Sequence, residues 1–166
     1  MSIDNAQKFR DAFAALFAPD MNATALALAD SMLQQELSYS RSQPVDAAAS
    51  TAGTRTFDQS TSFPMVVKAF KIITSGNVTA DDTNYATVAL VYNDGAGGSD
   101  TTIASKTTKI TGGTGNLTAG IAYSFAITAA NARIPAGSQV QVKVTKAGTG
   151  VSLPVSTFEL KCAPSA

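Results

Sequence analysis

Few residues in this sequence could do acid, base or metal chemistry. The chain has 166 residues, with no histidine and one cysteine, Cys162. Without histidine there is no Ser-His-Asp or Cys-His arrangement, no histidine general base and no imidazole metal ligand. One cysteine cannot form an internal disulfide or a multi-cysteine zinc site, so we expect it to be a structural thiol. Acid and base chemistry would have to come from aspartate and glutamate.

Two groups of aspartates have spacings worth testing for chemistry. Asn93-Asp94-Gly95, with Asp100 nearby, could begin a calcium loop, but the Asp-x-Asp-x-Asp-Gly spacing and the closing glutamate are missing. A hairpin turn with positive φ is favoured instead. Asp81 and Asp82 are adjacent, and adjacent side chains of an extended chain point in opposite directions. We therefore expect an Asx turn that leads into a strand at Tyr85.

An enzyme that uses carboxylates alone, as glycosidases do, is a remaining alternative. The glutamates are Glu36 and Glu159, which fall in different segments of the chain. The glycine clusters match neither the P-loop pattern nor a strand-GxGxxG-helix unit, so a phosphate cradle is not expected. We predict that the chain is not an enzyme and uses no metal or other cofactor.

The elements that position these residues are mainly strands. From Phe63 onward the hydrophobic residues recur with period two, and clusters of Gly, Asn, Asp and Thr separate the runs. Strands are predicted over residues 65–74, 85–92, 101–106, 122–128, 139–145 and 155–161. With no helices between them, these strands predict a mainly β domain over residues 63–166, an antiparallel β-sandwich or jelly roll.

The most regular strand lies between two explicit turns, 134–137 and 146–150. Its valines alternate with polar residues, which predicts one packed face and one face that meets water or a partner. The packed face is predicted to carry Val140, Val142 and Val144, and the other face Gln139, Gln141, Lys143 and Thr145.

A short N-terminal helical arm is predicted over residues 1–38. Apolar residues recur at helical spacing in two runs, from Asp4 to Phe17 and from about residue 22 or 24 to Leu37, with Pro19 between them. Both stripes could dock on this chain's own β domain or on a neighbouring subunit. Residues 39–62, rich in Ser, Thr, Ala and Gln, are predicted to be an extended linker.

The charge and composition exclude some partners and favour others. Twelve basic and twelve acidic residues give a formal net charge of zero, which disfavours nucleic acid binding. The sequence contains neither a secretory signal nor an apolar run long enough to span a bilayer, so no membrane association is expected. Only 14% of the residues are charged. Small, neutral, hydroxyl-rich strand faces suit packing on another protein or repeated assembly.

The stretch from residue 79 to residue 154 resembles the β domains of virion proteins of tailed bacteriophages, especially capsid decoration or cement proteins and head fibres. The resembling features are the strand entry at 83–87, the Gly-rich hairpin that follows it, the corner at 134–137, and the closing turn at 146–150 ahead of Leu153-Pro154. The resemblance implies a non-enzymatic protein that binds the outer surface of an expanded capsid, commonly as an oligomer.

On that basis we expect a structural virion protein on the capsid exterior, produced in the cytoplasm of the bacterial host. Its partners would be the major capsid protein and other copies of itself. The candidate capsid or subunit contacts are Phe9, Phe13, Phe17, Leu26, Leu33 and Leu37. The alternative is a head- or tail-fibre module that recognises a host surface glycan, although the absence of Trp and the presence of only four Tyr offer few stacking groups.

Overall fold

The structure is a computed structural model that describes residues 61–96 and 98–165, the backbone of two further strands nearer the N-terminus, and Lys8. Nine strands and one 3-10 turn, Ala129–Asn131, are described. The strands are β1 (Leu37–Gln43), β2 (Gly53–Asp58), β3 (Met65–Thr74), β4 (Tyr85–Asn93), β5 (Thr101–Thr107), β6 (Ala122–Ser124), β7 (Arg133–Ile134), β8 (Gln139–Ala147) and β9 (Ser156–Pro164).

The strands form two antiparallel sheets. Sheet A has five strands in the order β1-β9-β3-β6, with β7 also paired to β3, and sheet B has four strands in the order β2-β8-β4-β5. Every strand pair in both sheets is antiparallel. The prediction of a mainly β, antiparallel fold is therefore confirmed.

The inner faces of the two sheets share one hydrophobic core, which makes the domain a β-sandwich. Phe70 of β3 lies at its centre, with its ring centroid 4.6 Å from that of Phe125 and 6.1 Å from that of Phe158. Sheet B contributes Leu90 and Val140, which are completely buried. The predicted alternation of core and surface residues is thus present in both sheets.

One predicted strand is shorter than expected. The sequence predicts strand structure over 122–128, but β6 ends at Ser124. Beyond that point the Phe125 amide donates to the Phe70 carbonyl of sheet A, and the Thr128 amide donates to the Ile103 carbonyl of sheet B. The chain stays extended but crosses from one sheet to the other, and this crossing closes one side of the sandwich.

The structure differs from the sequence prediction where the predicted arm meets the predicted linker. Strands β1 and β2 lie largely within the range 39–62 and form the outer edges of sheets A and B. An edge strand needs few large apolar residues, because one side of it meets solvent, and composition alone therefore misses it. Leu37, predicted as the last residue of a helix, is the first residue of β1. The rest of the predicted arm, residues 1–36, lies outside the described residues apart from Lys8.

The loops cluster at the two ends of the sandwich. The loops 75–84, 108–121 and 148–155 lie at one end, here called the loop end, because they connect the strand termini around the paired residues Thr74 and Ser156. The 94–100 loop and the turn at 135–138 lie at the other end, called the hairpin end. In the described part of the chain no helix is long and apolar enough to cross a membrane.

Candidate functional site

The residues predicted as capsid or subunit contacts are mostly outside the described part of the chain. Phe9, Phe13, Phe17, Leu26 and Leu33 belong to this group. Leu37 is described through its backbone, and its register partner is Cys162 of β9, at the hairpin end of sheet A. The contact role of these six residues stays a prediction.

The outer face of sheet B is built from small polar side chains in cross-strand register. Thr87 of β4 lies between Thr107 of β5 and Thr145 of β8. In the next row, Ala89 lies between Ser105 and Lys143. We call this surface the threonine face; it comprises Thr87 and Ala89 of β4, Thr102, Ser105 and Thr107 of β5, Lys143 and Thr145 of β8, and the register positions Thr54 and Thr56 of β2, while Val91 and Gln141 on the same side of the sheet are buried.

The charged residue described on the threonine face, Lys143, is neutralised within the fold. Its ammonium group forms an ion pair with Asp100, which also accepts a hydrogen bond of 3.1 Å from the Asn93 amide. These two hydrogen bonds, that of Lys143 first, hold the pKa of Asp100 below its ordinary value. The pair ties the 94–100 loop to the middle of β8. The face therefore presents hydroxyl groups and a lysine whose charge is balanced by that of Asp100.

The two adjacent aspartates at the loop end do not form a catalytic pair. Asp81 accepts a hydrogen bond of 2.7 Å from the Thr83 amide and another from the Asn84 amide, which is the predicted Asx turn into β4. Asp82 accepts hydrogen bonds from the amide and hydroxyl of Thr111, at 2.8 and 2.9 Å. The bond from the Thr111 amide, followed by that from its hydroxyl, lowers the pKa of Asp82. Each carboxylate holds a different loop.

The 94–100 loop is a turn held by its own aspartate, as the sequence predicts. One carboxylate oxygen of Asp94 accepts hydrogen bonds of 3.0 Å from the amides of Ala96 and Gly98, and these bonds lower its pKa. Gly95 has a φ of 74°, the conformation for which glycine was expected here. No group of three or more metal-binding side chains is present among the described residues.

The cysteine is buried, as predicted for a structural thiol. Cys162 is fully buried in β9, and burial raises the pKa of its thiol to about 12. A thiol with this pKa is not a nucleophile at neutral pH. This residue therefore contributes packing to the core.

A small pocket opens between β5 and β6, where the chain crosses from sheet A to sheet B. It holds about 10 Å³, roughly the space of one water molecule, whereas small-molecule sites usually have volumes of about 300 Å³ or more. Lys106 lines it and donates a hydrogen bond of 2.7 Å to the Ser124 carbonyl. This pocket is too small to bind a metabolite or a sugar.

The outer face of sheet A has a different character. Its residues alternate with the buried Phe70 and Ile72 of β3, so they point away from the core. We call this surface the lysine face; it comprises Val66, Lys68, Ala69, Lys71 and Ile73 of β3, Thr157, Glu159, Lys161 and Ala163 of β9, Arg133 of β7, and Ala122 and Ser124 of β6. Four of these residues are basic and one is acidic.

Sequence reasoning missed the long-range ties that shape these surfaces. The Lys143–Asp100 pair joins residues 43 positions apart, and the Asp82–Thr111 bond joins residues 29 positions apart. Nothing in the local pattern identifies such partners. The Asx turn at Asp81 and the turn at Asp94 depend on neighbouring residues only, and both were predicted.

Comparison with known proteins finds solved structures of low similarity. No protein-family profile and no curated protein matches the chain. Among solved structures, an alpha-amino acid ester hydrolase labelled with selenomethionine matches 77% of this chain at 11% identity and a TM-score of 0.37. A structure of the infectious bursal disease virus Gx strain matches 78% at 14% identity and a TM-score of 0.30. The chain spans 31% and 32% of these two proteins, and neither likeness bears on its function.

Proposed function

We propose that this chain is a structural virion protein that binds the outer surface of an expanded phage capsid and stabilises it. It would act without enzymatic activity, as a homo-oligomer, with the major capsid protein as its partner. The proposal rests on the resemblance of residues 79–154 to decoration proteins and on one observation of the fold, the threonine face.

The threonine face supports the proposal because a partner can cover it at a low cost in desolvation free energy. Burying a charged group against another protein requires a paired partner, whereas hydroxyl groups can exchange water for hydrogen bonds at little net cost. The Lys143 charge is already paired with Asp100. A partner can therefore cover this face, including Thr87 and Thr145, without taking an unpaired charge out of water.

The expanded capsid would then be stabilised because many copies of this protein bind to it. A protein that binds the expanded lattice and not the unexpanded one stabilises the expanded state by mass action. Contacts that are weak one by one become strong when they are repeated over linked subunits. The structural roles of Asp81, Asp82 and Asp94 also fit a protein without a catalytic centre, since each carboxylate is engaged by loop amides.

The N-terminal arm supplies the remaining candidate contacts. In this proposal Phe9, Phe13 and Phe17, together with the leucines of the second helical run, clasp the capsid or a sister subunit. A test by deletion has to spare β1 and β2, because both pair with the sandwich. Removal of residues 1–36 is therefore the appropriate truncation.

The proposal is tested by capsid cosedimentation of variants of the threonine face. We expect Thr87→Arg or Thr145→Arg to reduce binding to expanded capsids of the parent phage, stripped of this protein, by about tenfold or more, as for a central interface position. The matched control is Thr79→Arg, an exposed threonine in the 75–84 loop outside this face. Equal binding of all three variants and the wild type would show that the threonine face is not the capsid contact.

A further inference from the structure

We propose that the connections 75–84 and 108–121 together form a latch that slows the unfolding of the sandwich. The latch consists of two copies of one short sequence, GNVTA at 76–80 and GNLTA at 115–119, which pair with each other at the loop end. This inference concerns the fold of the chain and does not depend on capsid binding.

Both connections carry the chain from one sheet of the sandwich to the other. The 75–84 connection joins β3 of sheet A to β4 of sheet B, and the 108–121 connection joins β5 of sheet B to β6 of sheet A. The two connections meet at an isolated antiparallel bridge between Val78 and Leu117. The amide of each of these residues donates a hydrogen bond to the carbonyl of the other, at 2.8 and 2.9 Å.

The two asparagines of the repeated sequence extend this bridge at both ends. The Ala119 amide donates to the Asn77 side-chain oxygen at 2.9 Å, and the Ala80 amide donates to the Asn116 side-chain oxygen at 2.8 Å. Each asparagine thus binds the alanine that closes the other copy, so the contact has a local twofold symmetry. The side-chain bonds join residues that are 42 and 36 positions apart, and only the fold brings these residues together.

The bridge also covers the hydrophobic core at the loop end. Val78 and Leu117 are 2% and 4% exposed and belong to the core, whereas Asn77 and Asn116 lie at the surface. Adjacent residues of an extended segment point to opposite sides, which explains this division. Separation of the two connections would expose two core side chains to water, and this cost keeps the latch closed.

The position of the latch indicates that it acts on unfolding more than on folding. Each connection has one end in each sheet, so the two copies can meet only after the sheets have packed together. Contacts that form this late contribute little to the folding transition state. Because the loss of such contacts mainly speeds unfolding, the latch sets the lifetime of the folded sandwich.

Stopped-flow unfolding and refolding of the full chain in urea tests the inference. We expect Asn77→Ala and Asn116→Ala each to raise the unfolding rate by about threefold to tenfold, the effect of one side-chain hydrogen bond. The refolding rate should change by less than about twofold. Asn77→Asp keeps the acceptor oxygen and should unfold within about twofold of the wild-type rate. The matched control is Thr79→Ala, an exposed residue of the same repeat, which should unfold at the wild-type rate.

A double variant tests whether the two asparagines act as one unit. With both changed to alanine, we expect the increase in the unfolding rate to be smaller than the product of the two single increases, because opening one end of the bridge weakens the other. An increase equal to that product would overturn the latch as a unit. Asn77→Ala and Asn116→Ala rates equal to that of Thr79→Ala, or a refolding rate that falls as much as the unfolding rate rises, would also overturn the inference.

Discussion

The aspartates of the described loops accept hydrogen bonds from backbone amides or from neighbouring side chains. Asp81 holds its own turn, Asp82 holds the 108–121 loop, and Asp94 holds the 94–100 loop. Because the acceptor is the ionised form, the bonds to Asp82 and Asp94 favour the charged carboxylate and lower the pKa of both residues. The same bonds fix the shape of these loops.

Gly148 is one position where glycine is required by space and by backbone conformation. Its φ is 59°, and a Cβ added there would lie 2.5 Å from the Asn84 side-chain oxygen and 2.7 Å from the Thr83 carbonyl oxygen. We expect Gly148→Ala to lower the free energy of unfolding by about 2–3 kcal/mol. Urea unfolding measures this change.

Gly112 provides the control for this prediction. It has a φ of 68°, but nothing lies within 4 Å of an added Cβ. Gly112→Ala should therefore show the conformational cost alone, about 1 kcal/mol. If both variants lose the same stability, the close approach of the 148–155 loop to Asn84 has no energetic effect.

The Asp100–Lys143 pair predicts a pH dependence. The pKa of Asp100 is lowered in the folded state, so its contribution is complete above the ordinary aspartate pKa of about 3.9 and is lost as the pH falls through the lower folded value. As the pH falls from about 5 to about 2, we expect the Tm of the Asp100→Asn variant to decrease less than the Tm of the wild type. The effect is reduced by solvent screening.

Thermal unfolding across this pH range measures the difference. Lys146→Met, on the same strand but outside the ion pair, is the control and should follow the wild-type profile. An Asp100→Asn profile parallel to that of the wild type would mean that the pair has no part in acid sensitivity.

At the scale of elements, Thr61 connects the end of β2 to the hairpin end of the sandwich. Its amide donates to the Ser138 carbonyl at 3.0 Å, and its carbonyl accepts from the Gly137 amide at 2.7 Å. Its hydroxyl donates to the Pro135 carbonyl at 2.8 Å and accepts from the Ser138 amide at 3.2 Å. This buried residue fixes the turn that precedes β8.

Thr61→Val tests the contribution of that hydroxyl. The change keeps the volume but leaves the Pro135 carbonyl and the Ser138 amide with weaker partners, so we expect a loss of about 1–3 kcal/mol in urea unfolding. Ser62→Ala, at the exposed neighbour, should stay within about 0.5 kcal/mol of the wild type. A Thr61→Val variant as stable as Ser62→Ala would contradict this role.

Much of the strand structure could be predicted from the sequence because apolar and polar residues alternate over most of the length of the core strands. β3 begins at Met65 and ends at Thr74, as predicted, and β8 begins at Gln139. The edge strands β1 and β2 could not be predicted, since they pair with strands that are far away in the sequence, from Asp58 with Val140 to Leu37 with Cys162. The neutral strand face was expected from composition, but its internal ion pair was not, because only the fold brings Asp100 to Lys143.

At the scale of the whole molecule, the sandwich has two unlike outer faces. The threonine face carries small residues, and its lysine is paired with Asp100, whereas the lysine face carries four basic residues and one acidic residue. We propose that the first face meets the capsid. The loop end carries the exposed apolar side chains Ile110, Ile121 and Val155.

The most direct test of the central proposal is cosedimentation of the purified protein with expanded capsids of the parent phage from which this protein has been stripped. Unexpanded shells are the control. We predict saturable binding at a fixed ratio to the capsid subunit, selective for expanded shells. Absence of binding to expanded shells, or equal binding to both forms, would contradict it.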